Sequence, residues 1–251
     1  MDLERHFVEK PWGRTDLPSA FTAPDGKQIG EVWFEIPGAA PLPLLVKWLF
    51  TSEKLSIQVH PSDAEAQARG LRSGKEECWY IVDAKPGAAL GIGTIRPLGN
   101  DELRSASLSG QIEQLMDWKP VQAGDYFYIP AGTVHAIGAG ITLVEVQQYA
   151  DTTYRLYDYG RSRELHLDDG VAVSKAVPYT DPRSGQAAGN VQLVDGPHFR
   201  LWMVADAAGL AAVPDNTVRW AIPLLGEGVG SCRLLSTEEM LSFDGQMLVA
   251  A

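Results

Sequence analysis

The chain has 251 residues, of which 45% are hydrophobic, so it can bury a sizeable core as one large domain or as a main domain with an appendage. Its formal net charge is -11 and its lysines and arginines are scattered, which argues against binding to nucleic acid or to an anionic membrane surface. Two cysteines, Cys78 and Cys232, lie far apart outside any CxxC pair, which argues against a disulfide framework or a thiolate zinc site and favours a reducing compartment.

The first residues, 1–6, carry charge where a signal peptide would need an apolar run, and we find no segment apolar enough to span a bilayer. We therefore expect a soluble protein of the cytoplasm. Apolar runs, several of them alternating with polar residues and most of them bounded by turn residues, predict a series of short β-strands. These are residues 31–36, 44–50, 55–61, 74–82, 88–93, 125–130, 134–137, 141–149 and 152–159. We expect the strand at 88–93 to pair back on the strand before it as a hairpin.

Helical spacing predicts a few short helices between these strands. Residues 64–71 follow an N-cap offered by the segment Pro61-Ser62-Asp63, residues 100–116 are interrupted by Gly110 and read as two helices, and residues 165–177 read as a helix at one end of the strands. Residues 178–190, with proline and glycine, are the best candidate for a linker. Many short strands with frequent turns indicate a sandwich or a barrel.

One strand, residues 55–61, presents potential metal ligands. Alternation places Ser56, Gln58 and His60 on one face and apolar residues on the other. With Glu77 and His135 on or beside later strands, the chain offers an amide, a carboxylate and two imidazoles, which suit Zn²⁺ or another divalent first-row ion. Taken one at a time, each of these residues has a plainer interpretation as a hydrogen-bonded core or surface side chain.

Several charged residues interrupt apolar strands. Lys47 lies in the run 44–50, Glu145 lies in the run 141–149, and Lys75 shares a strand face with Glu77. Buried charges of this kind need partners. They are therefore candidates for a site that binds an anionic substrate as well as for structural ion pairs.

Four motifs in order carry a resemblance to a known family. They are QVHP (58–61), GKEECWY (74–80), GD with IPAGTVH (124–125 and 129–135), and DTTYRLYDY (151–159). Together with KPWG (10–13) they resemble the type I phosphomannose isomerases, cupin-fold metalloproteins that interconvert mannose 6-phosphate and fructose 6-phosphate. The resemblance extends to about residue 161. It implies a mostly β fold, a cupin-type jelly-roll β-barrel with a few short helices, in which residues 1–177 form the catalytic domain and residues 190–251 a small β-rich region, a reduced second cupin-like half.

The resemblance also implies roles for individual residues. One zinc ion per chain would be bound by Gln58, His60, Glu77 and His135, although another divalent first-row metal would suit the same ligands. The substrate, a hexose 6-phosphate, would contact Lys47, Ser56 and Trp12. Aldose–ketose isomerisation through a cis-enediol needs a base and a positive group, and Glu145, Lys75 and Arg155 are the candidates. Glu145 or a water ordered by the zinc would move the proton, and Arg155 would stabilise the enediolate or help to hold the phosphate.

Two alternatives remain open at this stage. A non-catalytic cupin that binds a sugar or sugar phosphate could keep all the metal ligands, although it would not need a base. A cupin dioxygenase is a weaker alternative, because such enzymes use histidine-rich iron sites and only two histidines match here. The sequence leaves the oligomeric state open.

Overall fold

The computed structural model describes residues 1–237, 239 and 245–251. In this part of the chain the fold is mostly β, with short helices between the strands. The strands are β1 (Glu4–Arg14), β2 (Ile29–Glu35), β3 (Leu44–Phe50), β4 (Ile57–Val59), β5 (Glu77–Ala84), β6 (Ala89–Thr94), β7 (Met116–Pro120), β8 (Asp125–Ile129), β9 (His135–Ile137), β10 (Ile141–Gln148), β11 (Tyr154–Tyr157), β12 (Ser184–Gln186), β13 (Val191–Asp195), β14 (Arg200–Val204), β15 (Arg219–Gly226), β16 (Arg233–Leu235) and β17 (Gly245–Ala250). The helices are α1 (Asp63–Gln67), α2 (Asn100–Ser109), α3 (Ile112–Leu115), α4 (Leu167–Val173) and α5 (Ala207–Ala211).

These strands form three antiparallel sheets. The first sheet has the order β1-β2-β3-β10-β5-β8-β12, the second β11-β4-β9-β6-β7, and the third β13-β14-β17-β15-β16. Within the described residues the first two sheets are separate hydrogen-bonded units, so they form a sandwich of the cupin type and do not close into a barrel. The predicted class, mostly β with a few short helices, is confirmed.

The first sheet is the central layer because both of its faces are covered. On one face Val32 pairs with Trp48 and Trp48 with Val144, and these side chains share a hydrophobic cluster with Leu201 and Ile222 of the third sheet. Since neighbouring residues on a strand point to opposite faces, Lys47 and Glu145 are directed the other way, toward the second sheet.

A second cluster joins the first sheet to the second. Leu49, Ile81 and Leu143 of the first sheet pack with Leu90 and Ile137 of the second. All five are at most 2% exposed, so the space between the sheets is a dry core at this end. The charged residues lie beside this core, which explains why they are buried.

Several predicted boundaries are close to the observed ones. Strand β3 covers the predicted residues 44–50, and the predicted break at Gly110 separates α2 from α3, with this glycine at φ +78°. Helix α1 has its cap within the predicted segment 61–63: Ser62 accepts a hydrogen bond from the Glu65 amide while the Glu65 carboxylate accepts from the Ser62 amide. It is shorter than predicted, since residues 68–71 do not continue it.

Two predictions about connections are wrong. Strand β6 does not pair back on β5, because β5 is flanked by β8 and β10; β6 lies in the second sheet between β7 and β9. The predicted linker 178–190 contains β12, which pairs with β8 and extends the first sheet. Of the predicted C-terminal region, residues 238 and 240–244 lie outside the described residues. The rest contains the third sheet and α5, and the division of the chain into two domains stays a prediction.

Within the described residues, no helix combines the length and the hydropathy that crossing a membrane would require.

Candidate active site and metal centre

The predicted metal ligands meet between the first two sheets. Gln58 on β4 lies opposite His135 on β9, and His60 directly follows β4, so the second sheet supplies three of the four residues. Glu77, at the start of β5, reaches them from the first sheet. One donor atom each from His60, Glu77 and His135 lies within 4.8 Å of the others.

Each histidine is held by a backbone carbonyl on the side away from this centre. His60 Nδ1 donates to Thr152 O over 2.8 Å, and His135 Nδ1 donates to Thr133 O over 2.9 Å. These bonds leave the Nε2 lone pairs facing Glu77, whose oxygens lie 3.6 Å from His60 and 3.4 Å from His135. A carbonyl that fixes the tautomer in this way is a common partner of a metal-binding histidine.

The donor atoms fit a divalent metal. Among the described residues, His60 Nε2 and Glu77 Oε1 are buried with no hydrogen-bond partner, which is costly unless another group satisfies them. Burial lowers the pKa of His60 well below its usual range and that of His135 to about 4, so both rings are neutral and can bind a cation. Burial, reinforced by Glu145, raises the pKa of Glu77 to about 7 despite the opposing effect of Lys75. A bound cation would relieve that cost.

Gln58, the fourth predicted ligand, lies beside His135, but its amide oxygen is turned toward Ser56. Its Nε2 lies 3.3 Å from His135 Nε2, while its Oε1 accepts a hydrogen bond of 3.0 Å from Ser56 Oγ. The oxygen that would bind a cation therefore faces Ser56.

A row of charged side chains crosses the first sheet next to these ligands. Strand register places Glu145 opposite both Lys47 and Trp79. Glu145 Oε1 lies 3.2 Å from Lys47 Nζ and 3.9 Å from Lys75 Nζ, and its Oε2 accepts from the Trp79 indole over 3.0 Å. Lys75 Nζ in turn lies 2.9 Å from Glu77 Oε2, so the row reaches the metal centre.

Pairing decides the charge state of this row. Burial alone would raise the pKa of Glu145, but Lys75 and Lys47 lower it to about 2. Burial would lower the pKa of Lys75, but Glu145 and Glu77 raise it above its usual range. The carboxylate and the ammonium group are thus both charged near neutral pH.

The row continues outward through residues that were not predicted as site residues. Glu31 Oε2 lies 3.9 Å from Lys47 Nζ and its Oε1 lies 3.3 Å from Lys10 Nζ. The Trp33 indole donates to Glu31 over 2.5 Å, and its ring lies 4.6 Å from Lys47 Nζ. The alternation in β2 put Glu31 and Trp33 on one polar face, which was the available signal, but it did not show that Lys47 lies beside them.

Lys47, Lys75 and Glu145 of the row, together with Gln58, border one cavity of about 210 Å³. The predicted residues that line it are Trp12, Lys47, Ser56, Gln58, Lys75, Glu145 and Arg155. His60, Glu77 and His135 do not line it and are at most 2% exposed. The structure thus brings all of the predicted site residues to one place.

Two arginines also line the cavity. Arg155, opposite Gln58 in β11, donates from NH1 to Glu164 O over 2.8 Å, while its buried Nε has no partner among the described residues. Arg163 also lines the cavity and is held by two bonds to Asp158, of 2.6 and 2.7 Å. Asp158, only 2% exposed, was not predicted as a site residue, because its role depends on contacts within the loop that follows β11.

Comparison with known proteins assigns the chain to a family. It is 38% identical over 219 residues to the probable mannose-6-phosphate isomerase GmuF of Bacillus subtilis, a match that covers 71% of this chain and 69% of GmuF. The chain belongs to the mannose-6-phosphate isomerase family. Family members also include the mannose-6-phosphate isomerase of Streptococcus mutans, which is 44% identical over 137 residues, or 52% of this chain. No family model matches the sequence.

The sequence alignments cover only part of several family members, whereas the structural superposition covers nearly the whole of both chains. The chain spans about half the length of several curated relatives, 43% of the Streptococcus mutans enzyme and 44% of Bacillus subtilis ManA. The crystal structure of the Bacillus subtilis mannose 6-phosphate isomerase superposes with a TM-score of 0.78 at 25% identity and covers 100% of this chain and 98% of that chain. The Salmonella typhimurium phosphomannose isomerase, at 13% identity and a TM-score of 0.72, covers 99% of this chain and 98% of its own and shares the fold.

Proposed function

We propose that this protein is a zinc-dependent isomerase that interconverts mannose 6-phosphate and fructose 6-phosphate. The observation that carries the proposal is the adjacency of two features of the site. Buried ligand atoms of His60 and Glu77 have no partner among the described residues, and the row of Lys47, Glu145 and Lys75 lies directly beside them. The choice of substrate, a sugar phosphate, follows from the names of the similar proteins. The choice of reaction follows from the side chains of the site.

The metal would be held by Gln58, His60, Glu77 and His135, one ion per chain. Two imidazoles, a carboxylate and an amide form a ligand set that suits zinc, and neighbouring first-row ions are the alternatives. When bound, the cation supplies positive charge that favours negative charge on the substrate oxygens.

Glu145 is the proposed base that moves the proton between C1 and C2 through a cis-enediol. It is ionised at neutral pH, as a base must be, although a pKa of about 2 makes it a weak one while both lysines contact it. Lys75 and Lys47 would share their protons with substrate oxygens when the sugar enters, which raises the basicity of Glu145. Charge developing on the enediolate would then lie next to Lys75 and Arg155.

The rest of the cavity would hold the substrate. Lys47 and Arg155 are the proposed contacts of the phosphate, since cations suit that anion, and Trp12, which is 2% exposed, would form a wall for the sugar. We place the protein in the cytoplasm, which the free thiols of Cys78 and Cys232 support.

The test is an assay with mannose 6-phosphate, coupled to enzymes that consume fructose 6-phosphate, with and without a chelator. We expect turnover that the chelator abolishes and added Zn²⁺ restores. Glu77→Gln should lose both metal and activity, whereas Glu76→Gln should keep both, because Glu76 contacts Tyr128 and not the metal centre. Stoichiometric metal without turnover of any hexose 6-phosphate would refute the isomerase and leave a sugar-phosphate-binding protein.

A further inference from the structure

The amide of Gln58 is held between two polar side chains. On one side Ser56 Oγ donates to Gln58 Oε1 over 3.0 Å, and on the other Gln58 Nε2 lies 3.3 Å from His135 Nε2. Ser56 and Gln58 point the same way because they are two residues apart on an extended segment. Ser56 is 2% exposed and His135 is 1% exposed, so water has little access to either contact.

The hydrogen bonds of His135 determine which group donates and which accepts in its contact with Gln58. Because His135 Nδ1 donates to Thr133 O, the Nε2 atom of the neutral ring carries a lone pair and accepts from Gln58 Nε2. A cation at the centre would take that lone pair. The Gln58 amide would then have to present its oxygen, which requires a half-turn about its last side-chain bond.

A serine hydroxyl can form a hydrogen bond to the Gln58 amide in both of its orientations. It donates to Oε1 in the arrangement observed here, and it can accept from Nε2 after the half-turn, because a hydroxyl is both a donor and an acceptor. An apolar side chain at this position would leave one end of the buried amide unsatisfied in either state, and the amide would lose the contact that keeps it at the centre.

We infer that Ser56 is a positioning residue for the metal ligand Gln58: by bonding to the amide in either orientation, its hydroxyl keeps the Gln58 side chain at the centre where a cation would bind. This inference rests on the proposed metal-dependent function. It gives Ser56 a different task from the phosphate contact predicted from the sequence, since the hydroxyl is already bonded to Gln58 within a buried site.

The test is the affinity of the purified protein for Zn²⁺, measured by competition with a chelator, in Ser56→Ala. Loss of a residue that orients a ligand commonly weakens metal binding by about 10- to 100-fold, which is the change we expect. Ser107→Ala is the matched control, because Ser107 is fully buried in α2 and its hydroxyl has no partner among the described residues. Its Zn²⁺ affinity should equal that of the wild type.

Two further variants show whether Ser56 acts through Gln58. We expect Gln58→Ala to weaken Zn²⁺ binding and the double variant, Gln58→Ala with Ser56→Ala, to be no weaker than Gln58→Ala alone. The absorption spectrum of the Co²⁺-loaded protein should also change in Ser56→Ala, since it reports the ligand set.

A contact with phosphate gives the opposite result. In that case Ser56→Ala would keep the wild-type Zn²⁺ affinity and Co²⁺ spectrum, while the KM for mannose 6-phosphate and the inhibition constant of inorganic phosphate would rise. That outcome overturns the inference. The metal titrations need no turnover, so they decide the role of Ser56 even if the protein proves not to isomerise mannose 6-phosphate.

Discussion

Glu145 is the carboxylate on which two buried lysines converge, so Glu145→Gln should affect both stability and activity. The variant keeps the size of the side chain and an oxygen that can accept from Trp79. It removes the charge that lies 3.2 Å from Lys47 Nζ and 3.9 Å from Lys75 Nζ. Two ammonium groups then remain buried with less compensation.

The expected magnitude follows from these distances. With an effective dielectric constant of about 20, each contact corresponds to roughly 4–5 kcal/mol of attraction before desolvation is subtracted. Removal of one partner from a buried pair costs about 3–5 kcal/mol. Each lysine keeps a second carboxylate, Glu31 at 3.9 Å from Lys47 and Glu77 at 2.9 Å from Lys75. We therefore expect a loss of about 3 kcal/mol, at the lower end of that range.

Urea unfolding of the chelator-treated protein measures this loss. The pKa of Glu145 is lowered from 4.5 to about 2. Its ionised form therefore stabilises the fold above the unfolded-state pKa, and this contribution is lost as the pH falls toward the folded-state value. The difference between wild type and Glu145→Gln should be full at neutral pH and should shrink as the pH falls from about 4.5 toward about 2. A difference below about 1 kcal/mol at neutral pH would refute the ion-pair argument, given the size expected for a broken buried pair.

A double variant and an exchange assay complete the experiment. Lys47→Met combined with Glu145→Gln removes both members of the closest pair, so its loss should be smaller than the sum of the single losses by at least about 1 kcal/mol. Incorporation of solvent deuterium at C2 of the sugar phosphate tests the chemistry. Exchange at the wild-type rate in Glu145→Gln would remove Glu145 as the base.

Three further predictions concern the surroundings of the site. Gly74→Ala should weaken Zn²⁺ binding and lower the melting temperature, because a Cβ would lie 2.4 Å from backbone at the start of α1, whereas Gly99→Ala, with no atom within 4 Å of the added Cβ, should leave Zn²⁺ binding unchanged and cost only the small loss of stability expected at the N-cap of α2. Asp158→Asn should raise the KM for mannose 6-phosphate several-fold by releasing an arginine that lines the cavity, and Asp181→Asn, which affects an arginine pair outside the cavity, should leave the KM unchanged. Zn²⁺ at 100 times its dissociation constant should raise the free energy of unfolding by about 2.7 kcal/mol, and His60→Ala should abolish that gain in a thermal-shift titration.

The sequence predicted which residues meet at the candidate metal centre better than it predicted their surroundings, and the reason is physical. His60 and His135 occur in local motifs, QVHP and IPAGTVH, in which a strand end or a turn sets the direction of the imidazole. Glu31 has no such motif. It meets Lys47 only because β2 pairs with β3 in one particular register, and register is a property of two strands.

The errors in the fold prediction have the same origin. The apolar run of β6 indicated a strand correctly, but an apolar run does not specify its partner, and a neighbour in sequence was the wrong choice. Strand β12 was missed because Ser184, Gly185 and Gln186 have no apolar alternation, and the strand is formed by pairing with β8.

The charges around the cavity separate into two groups, and this separation supports the proposed division of tasks. On the first sheet, three lysines alternate with three carboxylates: Lys10, Glu31, Lys47, Glu145, Lys75 and Glu77. Their charges cancel, so this side attracts an anion weakly but can redistribute protons. Arg155, by contrast, forms no ion pair among the described residues, and burial and the neighbouring Arg163 lower its pKa. An added negative charge would relieve that cost, so of the two proposed phosphate contacts, Lys47 and Arg155, the arginine is the one that an anion would stabilise more.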